Sequence, residues 1–318
     1  MPNTELTELQ QRIVAGLQLN GRASWSKIAG VLGVPERTVT RHGTELLSSG
    51  RVTVAALARP ERQLILAAEC YPGTARLVSD SLARRDDAIF SYQTTGDFDV
   101  VAEITFRDDL SELLAVHLPA IPGVRKITVF PALKYFKTVQ AWRTGALTEA
   151  EEMALHVPTP GTFQPQPAIT KPGPNDAALM ALLKRDGRRS LESIARRLKM
   201  SEASVSRRIE WLLNSGQLSI RAIVEPAAAG FPVEAMLWVR IPPQHVEHLG
   251  RHLQQLPEVR YAAALAGEYQ MLVNVTVRTH AELYQLISRP VWGRLTTHIR
   301  TDLIYEARKR GGLLRTTQ

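Results

Sequence analysis

At 318 residues and 35.3 kDa, the chain is long enough for two or three domains, or more if each is small. Apolar residues make up 44% and charged residues 22%, which excludes low-hydrophobicity disorder for most of its length. No apolar run approaches the ~18 residues that span a bilayer. Cys70 is the only cysteine, so an internal disulfide and a cysteine-built zinc site are both excluded. A net charge of +8 with a pI near 9.8 favours an anionic partner. Met1–Glu5 shows no basic segment leading into an apolar core, so a cytoplasmic chain without a membrane partner is expected.

The charge is unevenly spread: +3 over residues 1–59, −1 over 60–148, −3 over 149–170, +6 over 171–224 and +3 over 225–318. Two small basic blocks are thus separated by a near-neutral one. In the first block the spacing predicts a helix over Glu36–Ser49, with Arg37, Thr38, Thr40, Arg41 and His42 facing outward. Pro35 stands where a capping serine is wanted. Gly43 interrupts the apolar stripe, at a cost of up to about 1 kcal/mol for a mid-helix glycine. This block is therefore expected to contact a ligand less well than its counterpart, or to be mainly structural.

Residues 62–138 read as strand Gln63–Cys70, helix Thr74–Arg84, strands Ala88–Thr95 and Asp99–Thr105, helix Asp108–Leu118 and strand Lys126–Lys137. Thr148 and Glu151 have capping-box form and open a short helix, Glu149–His156. Pro158–Pro174 holds six prolines in 17 residues and reads as a semi-rigid spacer.

The second basic block has a helix with Ala178, Leu179, Leu182 and Leu183 at helical spacing, stopped at Asp186-Gly187. Ser190 caps a helix over Leu191–Leu198, and Lys199-Met200 makes a tight break. Ser201 caps a third helix, Glu202–Ser215, followed by a strand-like Leu218–Val224 taken as part of a trailing hairpin. That arrangement is a winged helix-turn-helix. Ser204, Ser206, Arg207 and Arg208 lie off its apolar stripe, where they can reach base edges or phosphates in a major groove. The helix start at Ser190 can present backbone N–H groups to a phosphate. Residues 233–307 then repeat the strand and helix order of 62–138.

The repetition extends to residues. Shifted by 166, residues 21–52 align without gaps on 187–218, and 13 of the 32 positions are identical. Gly96-Asp97-Phe98-Asp99 aligns with Gly267-Glu268-Tyr269-Gln270 at a shift of 171. The expected fold is α+β: two winged helix-turn-helix domains, each followed by a ferredoxin-like βαββαβ effector/oligomerisation domain. The expected boundaries are 1–59, 60–140, 141–174 (helix and linker), 175–224 and 225–318.

This order, with Asp186-Gly187-Arg188-Arg189-Ser190, the Ser201-to-Ile209 run, Val224-Glu225-Pro226 and the Gly96–Asp99 turn, resembles the Lrp/AsnC transcriptional regulators. The resemblance implies a sequence-specific regulator bound to double-stranded DNA and assembled as a homo-oligomer through its effector domains. It further implies a small effector, often an amino acid, near Gly96, Asp97 and Asp99 and their counterparts Gly267 and Glu268. Gln270 in place of an acid breaks the family pattern there. No cofactor, metal or catalytic group is expected. His245, His248 and His252 share one helix but lie beside its apolar stripe, which makes them solvent-facing. Two rivals stand. One is a siroheme-decarboxylase-like enzyme, which the alanine-rich strand Arg260–Ala266 disfavours. The other is a sensing or structural protein without DNA binding.

Overall fold

The computed structural model describes residues 5–58, 62–106, 110–156, 173 and 175–315. The chain opens with α1 (Glu8–Leu19), α2 (Trp25–Leu32), α3 (Glu36–Ser48) and β1 (Val52–Ala58). It continues with β2 (Gln63–Cys70), α4 (Ala75–Arg84), β3 (Ala88–Thr94), β4 (Val100–Thr105), α5 (Leu110–Glu112) with a π-helical turn at Leu113–His117, and β5 (Val124–Lys137). After α6 (Glu149–Leu155) come α7 (Asp176–Arg185), α8 (Leu191–Leu198), α9 (Glu202–Asn214) and β6 (Leu218–Val224). The last series is β7 (Val233–Arg240), α10 (Pro243–Gln255), β8 (Val259–Leu265), β9 (Met271–Val277), α11 (His280–Ile287), α12 (Pro290–Leu295), β10 (His298–Arg310) and β11 (Leu313–Leu314). Apart from Gly173, the proline-rich stretch lies outside the described residues, as does Asp108 at the expected start of its helix.

The architecture is α+β, and its two compact units interleave the chain. One unit comprises Met1–Arg59 with Arg143–Gly230, the other Pro60–Trp142 with Phe231–Gln318.

In the first unit, side chains set the helix starts. Thr7 and Gln10 form a capping box on α1, Ser24 caps α2, Ser190 caps α8 and Ser201 caps α9. The break after α2 is made by Gly33 with φ 66°, and after α8 by Lys199 with φ 53°. Lys199 takes the left-handed conformation normally left to glycine. The expected trailing hairpin does not form in either block. Each block ends in a single strand, and β1 pairs antiparallel with β6, Val52 opposite Val224 through Ala58 opposite Leu218. A lone strand has unpaired backbone groups on both edges, and the strand of the other block satisfies one of them.

The contacts between the two three-helix blocks are reciprocal. Gly21 N donates to Ile220 O at 3.0 Å, and Gly187 N donates to Val54 O at 2.8 Å. Arg22 Nη1 donates to Gly187 O and Arg189 O at 2.7 and 3.1 Å, while Arg188 Nη1 donates to Gly21 O and Ala23 O at 2.8 and 2.9 Å. No side chain fits at Gly187, because a Cβ there would lie 2.8 Å from Ile220 Cγ2. Leu155 of α6 packs on Gly16, and Arg12 pairs with Glu151.

In the second unit the strands run β10-β3-β4-β2-β5-β8-β9-β7, and β7 pairs back to β10, so the sheet closes on itself. Closure leaves these eight strands without a free edge. The long strands join the halves: β5 pairs with both β2 and β8, and β10 with both β7 and β3. Alternation sorts the side chains. Ile65 and Ala67 of β2 point into a shared core with Phe90, Phe130, Trp238, Tyr261 and Leu272. Leu64, Leu66 and Ala68 point outward under α4, and the matching outward face of β7 and β9 lies under α10, α11 and α12.

Candidate nucleic-acid interface

Helices α3 and α9 occupy equivalent places in the first unit, each buried along one stripe: Val39, Gly43 and Leu46 in α3, and Val205, Ile209 and Leu212 in α9. The opposite faces carry the residues expected to contact DNA. On α3, Arg37 and Arg41 are exposed and Thr38 and Thr40 are half-buried. His42 turns inward instead of outward: its side chain is 18% exposed, and Arg41 Nη2 lies 2.9 Å from its Nε2. On α9, Ser206 and Arg207 are exposed and Ser204 is half-buried.

Arg208 is also not free to point outward. Its Nε donates to Asp176 Oδ1 at 2.7 Å, its Nη2 pairs with Asp176 Oδ2, and its guanidinium stacks on Trp211 with 4.2 Å to the ring centroid. The Arg208 fork, opposed by burial, holds the Asp176 carboxyl below the usual carboxylate range, and Gly173 N adds a hydrogen bond. Ser190 Oγ accepts from Ser193 N at 3.2 Å. That hydroxyl is therefore used as the helix cap, although Ser190 itself is exposed.

The expected weakness at Gly43 is also corrected. A Cβ on Gly43 would collide with the Trp25 ring of α2, so the indole fills the space that an apolar side chain would take. In the second block the same two positions hold Leu191 and Ile209. The volume is redistributed between partners rather than lost. Pro35 does leave α3 without a side-chain cap.

In the second unit, the two expected effector turns have glycines with positive φ, Gly96 at 90° and Gly267 at 133°. Asp97 is 85% exposed and pairs with Arg300 Nη1 at 2.9 Å; Glu268 pairs with Arg240. Asp99 Oδ2 accepts from Cys70 N at 2.7 Å, and Gln270 Oε1 accepts from Ile241 N at 3.1 Å. The acid and the amide therefore do the same backbone job. Cys70 is half-buried, and burial, with Asp99 adding to it, pushes its thiol up to about 11.

Two buried polar clusters were invisible to sequence reasoning. Glu103 Oε1 accepts from Tyr135 OH at 2.8 Å and Tyr261 OH at 2.9 Å, and burial pushes its carboxyl up to about 7 despite both phenols. Glu234 faces Arg310 and Arg260 with Asn274 beside it. Burial opposes its charge, but the two guanidiniums outweigh burial and hold its pKa below the usual range. The residues of each cluster come from distant strands, so no local spacing could reveal them. Arg22 and Arg188 did leave a signal, since they fall among the identical positions of the 166-residue repeat. Among the described residues no group of three or more His, Cys, Asp or Glu could hold a metal ion, and no helix is long and apolar enough to cross a membrane.

Residues 175–213 match the AsnC-type helix-turn-helix domain, and residues 234–312 match the Lrp/AsnC ligand binding domain. Together they define a helix-turn-helix protein with an appended ligand-binding fold. An uncharacterised HTH-type transcriptional regulator of Pyrococcus abyssi is 32% identical over 113 residues, 35% of this chain and 72% of that protein. A similarly described protein of Pyrococcus furiosus is 30% identical over 113 residues, 35% of this chain and 76% of its own length. The chain belongs to the Lrp/AsnC family. Its fold is also similar to that of the siroheme decarboxylase NirDL, with a TM-score of 0.62 and 15% identity, covering 96% of this chain and 93% of the other. Identity this low carries the fold and not the chemistry.

Proposed function

We propose that the chain is a sequence-specific, DNA-binding transcriptional regulator rather than an enzyme. It is read as a tandem duplication of one unit, with helix-turn-helix domains at 1–59 and 175–224, ferredoxin-like effector domains at 60–140 and 225–318, and the linker region 141–174 between. Double-stranded DNA is its partner. Arg37, Thr38, Thr40 and Arg41 of α3 and Ser204, Ser206 and Arg207 of α9 meet the duplex. His42 and Arg208 support those faces from behind, and the α8 start at Ser190 lies near a phosphate. A small effector such as an amino acid acts at the turns containing Gly96, Asp97 and Asp99 or Gly267 and Glu268, by favouring one assembly of chains over another. The protein works in the cytoplasm, as a homo-oligomer formed through its effector domains.

One observation carries this reading: Arg41 and Arg207, at matching positions of α3 and α9, are both exposed on faces away from the core. The test is a fluorescence anisotropy titration of the full chain against the duplex upstream of its own gene, over a range of salt. Arg41→Ala and Arg207→Ala should each weaken binding and shallow the logarithmic salt dependence by about one unit. A flat titration at low salt would refute the reading.

The full-length likeness to NirDL favours a second reading, that of an enzyme acting on siroheme. Against it, the buried arginines Arg260 and Arg310 are already committed to Glu234. Adding siroheme and following its absorption spectrum decides the matter, and turnover would replace the regulator reading.

A further inference from the structure

The two DNA-facing blocks have the same backbone but place their cations differently. On α3 the exposed face carries Arg37 and Arg41, one helical turn apart, with Thr44 exposed beyond them. On α9 the matching positions are Ala203, Arg207 and Glu210, all exposed. Arg208 does not make up the difference, because Asp176 holds it in a two-point ion pair against Trp211. In the first block the equivalents of Asp176, Arg208 and Trp211 are Gln10, His42 and Glu45, so that clamp has no counterpart there.

The positive charge of the second block sits on a different element. Arg196 and Arg197, at the end of α8, and Lys199 in the turn after it are exposed, and Arg196 pairs only with the exposed Glu192. The same places in the first block hold Gly30, Val31 and Gly33. In a helix-turn-helix the second of the paired helices enters the major groove while the first crosses the phosphate backbone. Arginine on the groove helix can bind guanine edges bidentately, whereas cations on the crossing helix meet phosphates, which fix position without reporting sequence.

We infer that this chain takes a non-palindromic duplex. The half under α3 is read by sequence through Arg37 and Arg41. The half under α8 and α9 is held mainly by charge, with Arg207 its one groove-facing cation among the described residues. The inference rests on the DNA-binding reading above and names the class of duplex it requires.

The test is selection of duplexes from a random library by the full chain at two salt concentrations. The expected motif has one strongly constrained half and, about one helical turn (~10 bp) away, one weakly constrained half. Arg37→Ala and Arg41→Ala should each reduce the preference for selected over scrambled duplex by roughly ten-fold or more. The Arg196→Ala/Arg197→Ala double variant should keep that preference while its salt dependence shallows by about two units. A motif with both halves equally constrained overturns the inference and leaves DNA binding intact. So does loss of preference in the α8 variant but not in the α3 variants. Failure to retain any duplex at low salt overturns the DNA-binding reading itself, and this inference with it.

Discussion

The turns at Gly96–Asp99 and Gly267–Gln270 do the same backbone work over different floors. Beneath Gly96 lie Asp302 and Arg300, so close that a Cβ would collide with the carboxylate. Beneath Gly267 lies Phe130, whose ring would be 2.9 Å from a Cβ. Phe130 and Asp302 hold the same place, opposite Ile65 on β2 and opposite Met236 on β7. Burial raises the Asp302 pKa, opposed by Arg300 beside it, and Trp238 Nε1 and Asp302 Oδ2 make no direct hydrogen bond. The halves therefore share a hydrogen-bonded frame, while the side chains inside it have separated into a charged and an apolar version. Function that depends on the frame should be symmetric, and function that depends on its contents should not.

The largest effect expected from that difference is at Glu234. Its counterpart in the first half is Gln63, since Gln63 pairs with Thr105 and Glu234 with Thr276 at matching points of the sheet. Glu234→Ala leaves Arg260 and Arg310 buried without their anion, a loss of about 3–5 kcal/mol. Gln63→Ala removes no charge and should cost well under half of that. Urea unfolding of both variants measures the gap, and equal losses would show that the charge network does not distinguish the halves.

The next effect is at the packing swap under the DNA-facing helices. Gly43→Ile should force the Trp25 ring aside and cost about 1–3 kcal/mol. Trp25→Leu should leave a cavity and cost about 2–4 kcal/mol. Combined, they recreate the Leu191 and Ile209 pairing of the second block, so the double variant should recover much of both losses. Thermal melts of the four proteins give the coupling directly, and simple additivity would contradict the compensation.

Glu103 marks a third asymmetry, because its counterpart is Asn274, which cannot ionise. With its carboxyl at about 7, native Glu103 retains a proton over a range where the unfolded chain has released it. Stability from this group is present at acid pH and declines as the pH rises from the ordinary carboxylate range through about 7. Glu103→Gln should remove that decline. Its advantage over the natural chain should grow between about pH 5 and 8 to roughly 2–3 kcal/mol. Parallel stability-versus-pH curves for the two proteins would exclude a titrating Glu103.

Much of the frame was legible in the sequence because its signals are local. Ser190 and Ser201 fix where α8 and α9 begin, and alternation places β2 at the predicted Gln63–Cys70. Residues 295–297 were read as the start of the last strand, but α12 and a short connection come before β10 at His298. Pro290 supplies a helix start there that apolar counting overlooks. Partner choice was not legible. Nothing near Val52 announces that β1 pairs with β6, or that β5 and β10 close the sheet across the halves, because strand pairing is settled by distant residues. The candidate site divides the same way. Arg37, Arg41 and Arg207 are exposed as periodicity indicated, but the fate of Arg208 depended on Asp176, 32 residues earlier.

The smallest expected effect probes the reciprocal clamp in the first unit. Arg22 and Arg188 each donate to two carbonyls of the opposite block, and burial lowers the pKa of both. Removing either side chain leaves two carbonyls without that donor, at a cost of about 1–2 kcal/mol. The two losses should not be identical. The Arg188 guanidinium lies over the Trp25 ring, 4.4 Å from its centroid, whereas the residue matching Trp25 near Arg22 is Leu191. That stack adds about 0.5–1 kcal/mol to the cost of Arg188→Ala alone. In a Trp25→Leu background the excess should vanish and the two arginines should become equivalent. An excess that persists without the indole would place the difference in the carbonyl contacts, and the frame would then be less symmetric than its hydrogen bonds indicate.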